Sequence, residues 1–78
     1  MRQKSPALII TFSTTTAAMA AEQFFTQSGL PGRLIPLPRE ISAGCGLCWK
    51  APAGEEGNLT SRLTAAGLQW ETERVIDL

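Results

Sequence analysis

Hydrophobic positions along the chain switch between two periods. Ala7-Leu8-Ile9-Ile10-Thr11-Phe12 is a short, partly β-branched apolar run of the kind buried at the centre of a sheet. Ser13 or Thr14 can then cap a helix with its hydroxyl. Ala17, Ala21, Phe24 and Ser28 recur at helical spacing, and Gly29 suits the left-handed position beyond the helix end. Pro31-Gly32 turns the chain into Arg33-Leu34-Ile35-Pro36-Leu37-Pro38, whose two prolines donate no ladder hydrogen bonds and so place this second strand at a sheet edge. A third strand runs from Gly46 to Ala51 and is broken by Pro52-Ala53-Gly54. A second helix follows over Glu55 to Ala66, with Leu59, Leu63 and Ala66 as its apolar face, Glu55 and Glu56 at its positive end, and Gly67 to stop it. Leu68 to Leu78 supplies one or two short extended pieces ending in Val75-Ile76-Asp77-Leu78.

The order β-α-β-β-α-β is a split crossover: strands one and two run parallel and strand three enters antiparallel between them. The expected architecture is α+β, a ferredoxin-like sandwich of one four-stranded antiparallel sheet with two helices on one face. In that layout the first helix begins, the second strand ends and the third strand begins at one edge of the sheet. Cys45 is therefore expected beside the first turn of the first helix, where free backbone N–H groups and the dipole stabilise a thiolate over a thiol. Cys48 lies three positions further along an extended segment, so its side chain is expected on the opposite face and inside the core. The loop Arg39 to Gly44 is long for a two-strand connection, and ordered long loops tend to have a task.

Length and charge narrow the classes. With 78 residues the chain is read as one domain, 1–78, with a thin core. Seven Lys and Arg balance seven Asp and Glu, so no general field draws nucleic acid or an anionic membrane surface. Two cysteines three positions apart are not a secreted disulfide framework and fit a reducing compartment, giving cytoplasm as the expected location. The start imitates a secretory peptide, with basic MRQKSP, apolar ALIITF and the small residues Ala18-Met19-Ala20. The apolar part is short for that purpose, and cleavage would remove the first strand. No stretch reaches the length of a membrane span.

The stretch PREISAGCGLCWKA, residues 38–51, holds both cysteines. The chain has no histidine, which removes the base of a hydrolytic triad and leaves two thiols too few ligands for structural zinc, so no metal is expected. Copper(I) could use two thiolates, but the copper chaperones that share this fold carry their CxxC after strand one, whereas here it follows strand two. A thioredoxin-type pair begins a helix; here the strand-like Leu47-Cys48-Trp49-Lys50-Ala51 follows. Cys45 has a glycine on each side, Gly44 and Gly46, which open access to it. Arg33 and Arg39 can hold an anion through charge-assisted hydrogen bonds, with Glu40 the alternative partner of Arg39. Thr14, in the hydroxyl run Ser13 to Thr16, is first a cap and second a ligand-binding surface. Trp49 and Trp70, with no basic cluster around them, read as core or interface aromatics.

The combination I-T-F-x-S-T, R-L-I-P-x-P-R-E-I-S, C-G-L and V-I-D-L, from Leu8 to Leu78, resembles the small Se/S carrier protein-like family. Pro36-x-Pro38-Arg39-Glu40-Ile41-Ser42 with Cys45-Gly46-Leu47 is the specific part of the resemblance. It implies a compact α+β fold and the handling of sulfur or selenium through one cysteine, corresponding here to Cys45. Cys48 stands where the resembled pattern has a small or apolar residue. The resulting expectation is a carrier, or an accessory to such transfer, more than an independent catalyst. It works without a cofactor, between sulfur or selenium donor and acceptor proteins. Arg39, Arg33, Thr14 and Gly46 are the expected substrate contacts. The rival reading is a non-catalytic regulatory or interaction domain in which Cys45 is incidental.

Overall fold

The computed structural model describes residues 4–42 and 44–78; Met1 to Gln3 of the basic start and Ala43 of the cysteine loop lie outside the described residues. Seven elements follow in order: β1 (Pro6–Thr11), α1 (Thr15–Gln27), β2 (Arg33–Pro36), β3 (Leu47–Pro52), a 3₁₀ turn (Ala53–Glu55), α2 (Asn58–Ala65) and β4 (Thr72–Asp77). The four strands form one sheet in the order β2-β3-β1-β4, with every neighbouring pair antiparallel. This is the ferredoxin-like layout expected of the element order. Among the described residues no helix is long and apolar enough to cross a membrane.

Alternation along β1 sends Leu8, Ile10 and Phe12 to the helix side, where Trp49 and Ala51 of β3 join them. Ala18, Ala21 and Phe25 of α1 and Leu59 and Leu63 of α2 close that core. The Phe25 and Trp49 rings pack at 4.8 Å between centroids, tilted by 39°. The Trp49 indole N–H donates to the Pro31 carbonyl at 3.1 Å, so the largest buried side chain leaves no polar atom unpaired. That contact also dictates Gly32 in the turn. A Cβ there would collide with the indole and the Lys50 carbonyl, and the backbone φ is +121°.

Three details differ from the sequence expectation, each for a packing reason. The buried stripe of α1 is Ala18, Ala21 and Phe25, rotated from Ala17, Ala21, Phe24 and Ser28, because Phe25 is the ring that meets Trp49. Phe24 and Ala17 lie at the margin, and Ser28 is the exposed C-cap. The second helix begins at Asn58 instead of Glu55, since the chain makes a 3₁₀ turn and pivots at Gly57 with φ +74°. Its N-terminus draws acid from β4: the Glu73 carboxylate accepts the Gly57 N–H at 2.8 Å and the Thr60 hydroxyl at 3.4 Å. The second strand ends at Pro36, because the Leu37 N–H turns to the Gly46 carbonyl at 2.9 Å. Two element ends shift as well: the third strand runs through Pro52, and Ala66 is the exposed C-cap of α2 instead of part of its apolar face. The cap and glycine signals hold: Thr14 Oγ1 caps α1 by accepting the Ala17 N–H at 3.0 Å, and Gly29 and Gly67 take positive φ beyond the two helices. Trp49 is core, whereas Trp70 is exposed and donates its indole N–H to the Thr64 hydroxyl.

Both helices cover one face of the sheet, yet Ile9, which points to the other face, has no exposed surface. A second apolar cluster explains this: Ile9, Cys48 and Ile41 are buried together, with Ile35, Leu37, Ile76 and Leu78 packed around them. Leu37 and Ile41 come from the β2–β3 loop, which folds under the sheet where no helix reaches. The PxPREIS segment thus has a structural task. Its isoleucine closes the lower face. Truncation by Ile41→Ala is expected to cost about 2–4 kcal/mol, as for other buried isoleucines. Urea unfolding measures it, and a loss below about 0.5 kcal/mol, the range of ordinary surface changes, would show that the loop does not seal this face.

Candidate functional site

The cysteine loop is pinned at three points. The Leu37 N–H to Gly46 carbonyl bond closes its base just beyond the Pro36–Leu47 pair of the β2–β3 ladder. At its tip the Ile41 N–H donates to the Pro38 carbonyl at 3.1 Å, making a turn through exposed Arg39 and Glu40. On the return, Gly44 lies against Ser13, the residue that leads into α1. A Cβ on Gly44 would stand 3.0 Å from the Ser13 carbonyl oxygen. Gly46 then takes φ +78°, a conformation that favours glycine. The glycines on either side of Cys45 therefore serve the backbone, one by close approach and one by its dihedral.

Cys45 is a free, half-buried cysteine that packs against the margin of the helix-side core, and its S–H donates to the Leu47 carbonyl at 3.5 Å. Gly46 adjoins it. Thr14 is brought to the same sheet edge, one residue beyond the Ser13 backbone that Gly44 touches, with its hydroxyl engaged as the helix cap. Arg39 stands on the exposed turn of the same loop. Arg33 is not part of this group: it pairs with Lys50 in the β2–β3 ladder, three residues along β3 from Leu47, and belongs to the sheet face away from the helices. Thr14 also lines a recess of about 250 Å³ with Thr16, Ala17, Ala20 and the Gly67–Gln69 segment, which Cys45 does not reach. Among the described residues no three His, Cys, Asp or Glu side chains gather where they could hold one metal ion.

Cys48 is placed differently in every respect. It has no exposed surface, sits in the lower cluster with Ile9 and Ile41, and its sulfur is 4.0 Å from the Pro36 carbonyl. Burial first, and the neighbouring Cys45 second, push its thiol from 9.0 up to about 11. At neutral pH it is a protonated core residue. The two sulfurs of the CxxC thus pack against opposite sides of the sheet, one reachable and one sealed. Sequence reasoning missed the Gly44–Ser13 approach, which ties the thiol loop to the start of α1. Only the glycine itself hinted at it.

The family model that matches the chain, described as "Putative Se/S carrier protein-like", aligns with residues 7–73. No curated protein and no solved structure matches.

Cys48 gives a pH signature. Its folded-state value lies above its unfolded one, so the stability it contributes is fully present below pH 9 and is lost as pH rises towards about 11. Two units correspond to on the order of 2–3 kcal/mol. Urea unfolding at pH 8 and at pH 10.5 should show the wild type losing more stability than Cys48→Ala over this interval; parallel losses would contradict the burial argument.

Proposed function

We propose, on the premise that the chain belongs to the Se/S carrier protein-like family, that Cys45 is its carrier thiol, receiving a sulfur or selenium atom from a donor protein and yielding it to an acceptor. The observation that carries this reading is the inequality of the two thiols. Cys45 is partly open to solvent on a pinned loop, while Cys48 is sealed and held protonated. A carrier needs one such sulfur, accessible and fixed in place; a dithiol redox or copper centre needs two.

The chemistry balances without an external oxidant. The Cys45 sulfur, as thiolate, attacks the terminal sulfur of a donor persulfide. A new S–S bond forms at Cys45, the donor's S–S bond breaks, and the donor cysteine leaves as thiolate. Attack on Cys45's terminal sulfur by an acceptor thiolate reverses the sequence and restores the free thiol. The selenium version exchanges the terminal atom only. Arg39, on the same loop, supplies a cation to offset the charge on the terminal atom. Gly46 leaves one side of the sulfur without a side chain, and Thr14 presents the hydroxyl and first-turn N–H groups of α1 at the same sheet edge.

Persulfide-donor treatment followed by intact-mass measurement tests this residue by residue. Wild type and Cys48→Ala should each gain one sulfur atom to a similar extent, and Cys45→Ala should gain none. Equal loss in both variants would replace the single-thiol mechanism with a paired one. Undiminished loading of Cys45→Ala would remove Cys45 from the chemistry.

A further inference from the structure

The β2–β3 loop has two roles in the fold. It carries Cys45 on its return, and it supplies the Ile41 and Leu37 side chains that pack with Cys48 and Ile9 beneath the sheet. Ile41 is 6% exposed and Cys48 has no exposed surface. Among the described residues the backbone of the loop is held by two hydrogen bonds, from the Leu37 N–H to the Gly46 carbonyl and from the Ile41 N–H to the Pro38 carbonyl. Both close the loop on itself, and neither reaches β1 or β4. Its attachment to the lower face is therefore apolar, through two side chains. A cover fastened in this way opens at lower cost than the hydrogen-bonded strands above it. The two thiols are meanwhile turned apart. The Cys45 S–H faces the Leu47 carbonyl at 3.5 Å at the margin of the helix-side core, and the Cys48 sulfur faces the Pro36 carbonyl at 4.0 Å in the lower cluster.

We infer that Cys48 is a resolving thiol kept out of use by this loop: a closed loop retains the atom loaded on Cys45, and a lifted loop lets Cys48 expel it. The inference rests on the reading of Cys45 as the carrier thiol. Cysteines at CxxC spacing are able to form a disulfide, but sulfurs held on opposite sides of a sheet cannot reach the required geometry without backbone movement. Lifting Ile41 and Leu37 supplies that movement and uncovers Cys48 in one event. The Cys48 thiolate then attacks the inner sulfur of the Cys45 persulfide. A Cys45–Cys48 bond forms, the bond to the terminal sulfur breaks, and hydrosulfide leaves. Cys48 is oxidised to the disulfide level and the terminal sulfur is reduced, so no outside oxidant enters. With selenium as the terminal atom the leaving group is hydroselenide. The closed fold also opposes the step through the proton, because burial pushes the Cys48 thiol up to about 11, and opening removes that burial. A carrier whose loop is disturbed thus empties itself and is left blocked as a disulfide.

The test loads the full chain with glutathione persulfide, removes the excess without oxygen, and follows hydrosulfide by bimane trapping and the disulfide by intact mass. Folded wild type should lose its extra sulfur no faster than Cys48→Ala. Ile41→Ala should release hydrosulfide about tenfold faster than wild type or more and end as the disulfide, because truncating the buried isoleucine raises the open fraction by at least that factor. Adding Cys48→Ala to Ile41→Ala should return release to the slow rate. Should Ile41→Ala fail to fold, wild type in urea below its unfolding transition should show the same acceleration, again dependent on Cys48. Release from folded wild type as fast as from the denatured chain, Ile41→Ala at the wild-type rate, or acceleration that survives the loss of Cys48 would each overturn the inference. Failure of Cys45 to load strikes the carrier reading instead, and oxidised glutathione then replaces the persulfide. The Cys45–glutathione disulfide should persist in folded wild type and be resolved by Cys48 in Ile41→Ala, with glutathione as the leaving group and the same outcomes deciding. A Cys45 that takes neither adduct would overturn both readings.

Discussion

The structure is organised around a central strand that has no face to leave in water. Ala7, Leu8, Ile9, Ile10 and Phe12 are all at most 4% exposed, with side chains pointing both ways from the sheet. Burying one face of such a strand against helices is the ordinary solution; burying the other requires a second cover. Here both helices lie on one side, and the β2–β3 loop closes the other with Leu37 and Ile41. This requirement accounts for a connection longer than two antiparallel strands need. It also fixes the site, because the same loop, pinned at Gly46 and against Ser13, carries Cys45 on its return.

Reading Ala7 to Phe12 as one buried strand was possible from sequence because Thr11 alone interrupts its apolar run, and the order of elements then left one natural sheet. Boundary signals with a local cause were equally legible: the Thr14 cap, the positive-φ glycines after both helices and the proline-marked edge strand. Tertiary causes were not. The α1 stripe turns on which of two adjacent phenylalanines meets Trp49. The start of α2 depends on a carboxylate supplied from Glu73, some 16 residues beyond Gly57. At the site, the opposite placement of Cys45 and Cys48 followed from strand alternation, whereas the distance of Arg33 from Cys45 required the ladder register. Short strands with prolines and a long loop do not announce their register, so the alignment of Arg33 with Lys50 and Arg74 was invisible in a sequence whose charges sum to zero.

A common logic joins the thiols and the charges. In both, residues that look equivalent in composition are separated by the sheet into different environments. Two cysteines become one reachable sulfur and one core atom with its proton held by desolvation. Seven cations and seven anions sum to zero, yet the ladder register sets Arg33, Lys50 and Arg74 in one row of the helix-free side. The sheet is thin, but it is dry enough at its centre to keep the two sides chemically distinct.

The strand order also has a consequence for synthesis. Thr11 of β1 bonds to Thr72 of β4 across 61 residues of sequence. At roughly 5–20 residues per second, β1 leaves the ribosome about 3–12 s before its outer partner exists. Through that interval the most apolar segment of the chain has an unpaired edge even after β3 has docked, an open template for strand addition by another nascent copy. Rapid formation of α1 over Leu8 and Ile10, and early closure of the loop under Ile9, would shield the faces of β1 but not this edge. The yield of folded protein should therefore depend on translation rate and chaperone supply more steeply than its small size suggests.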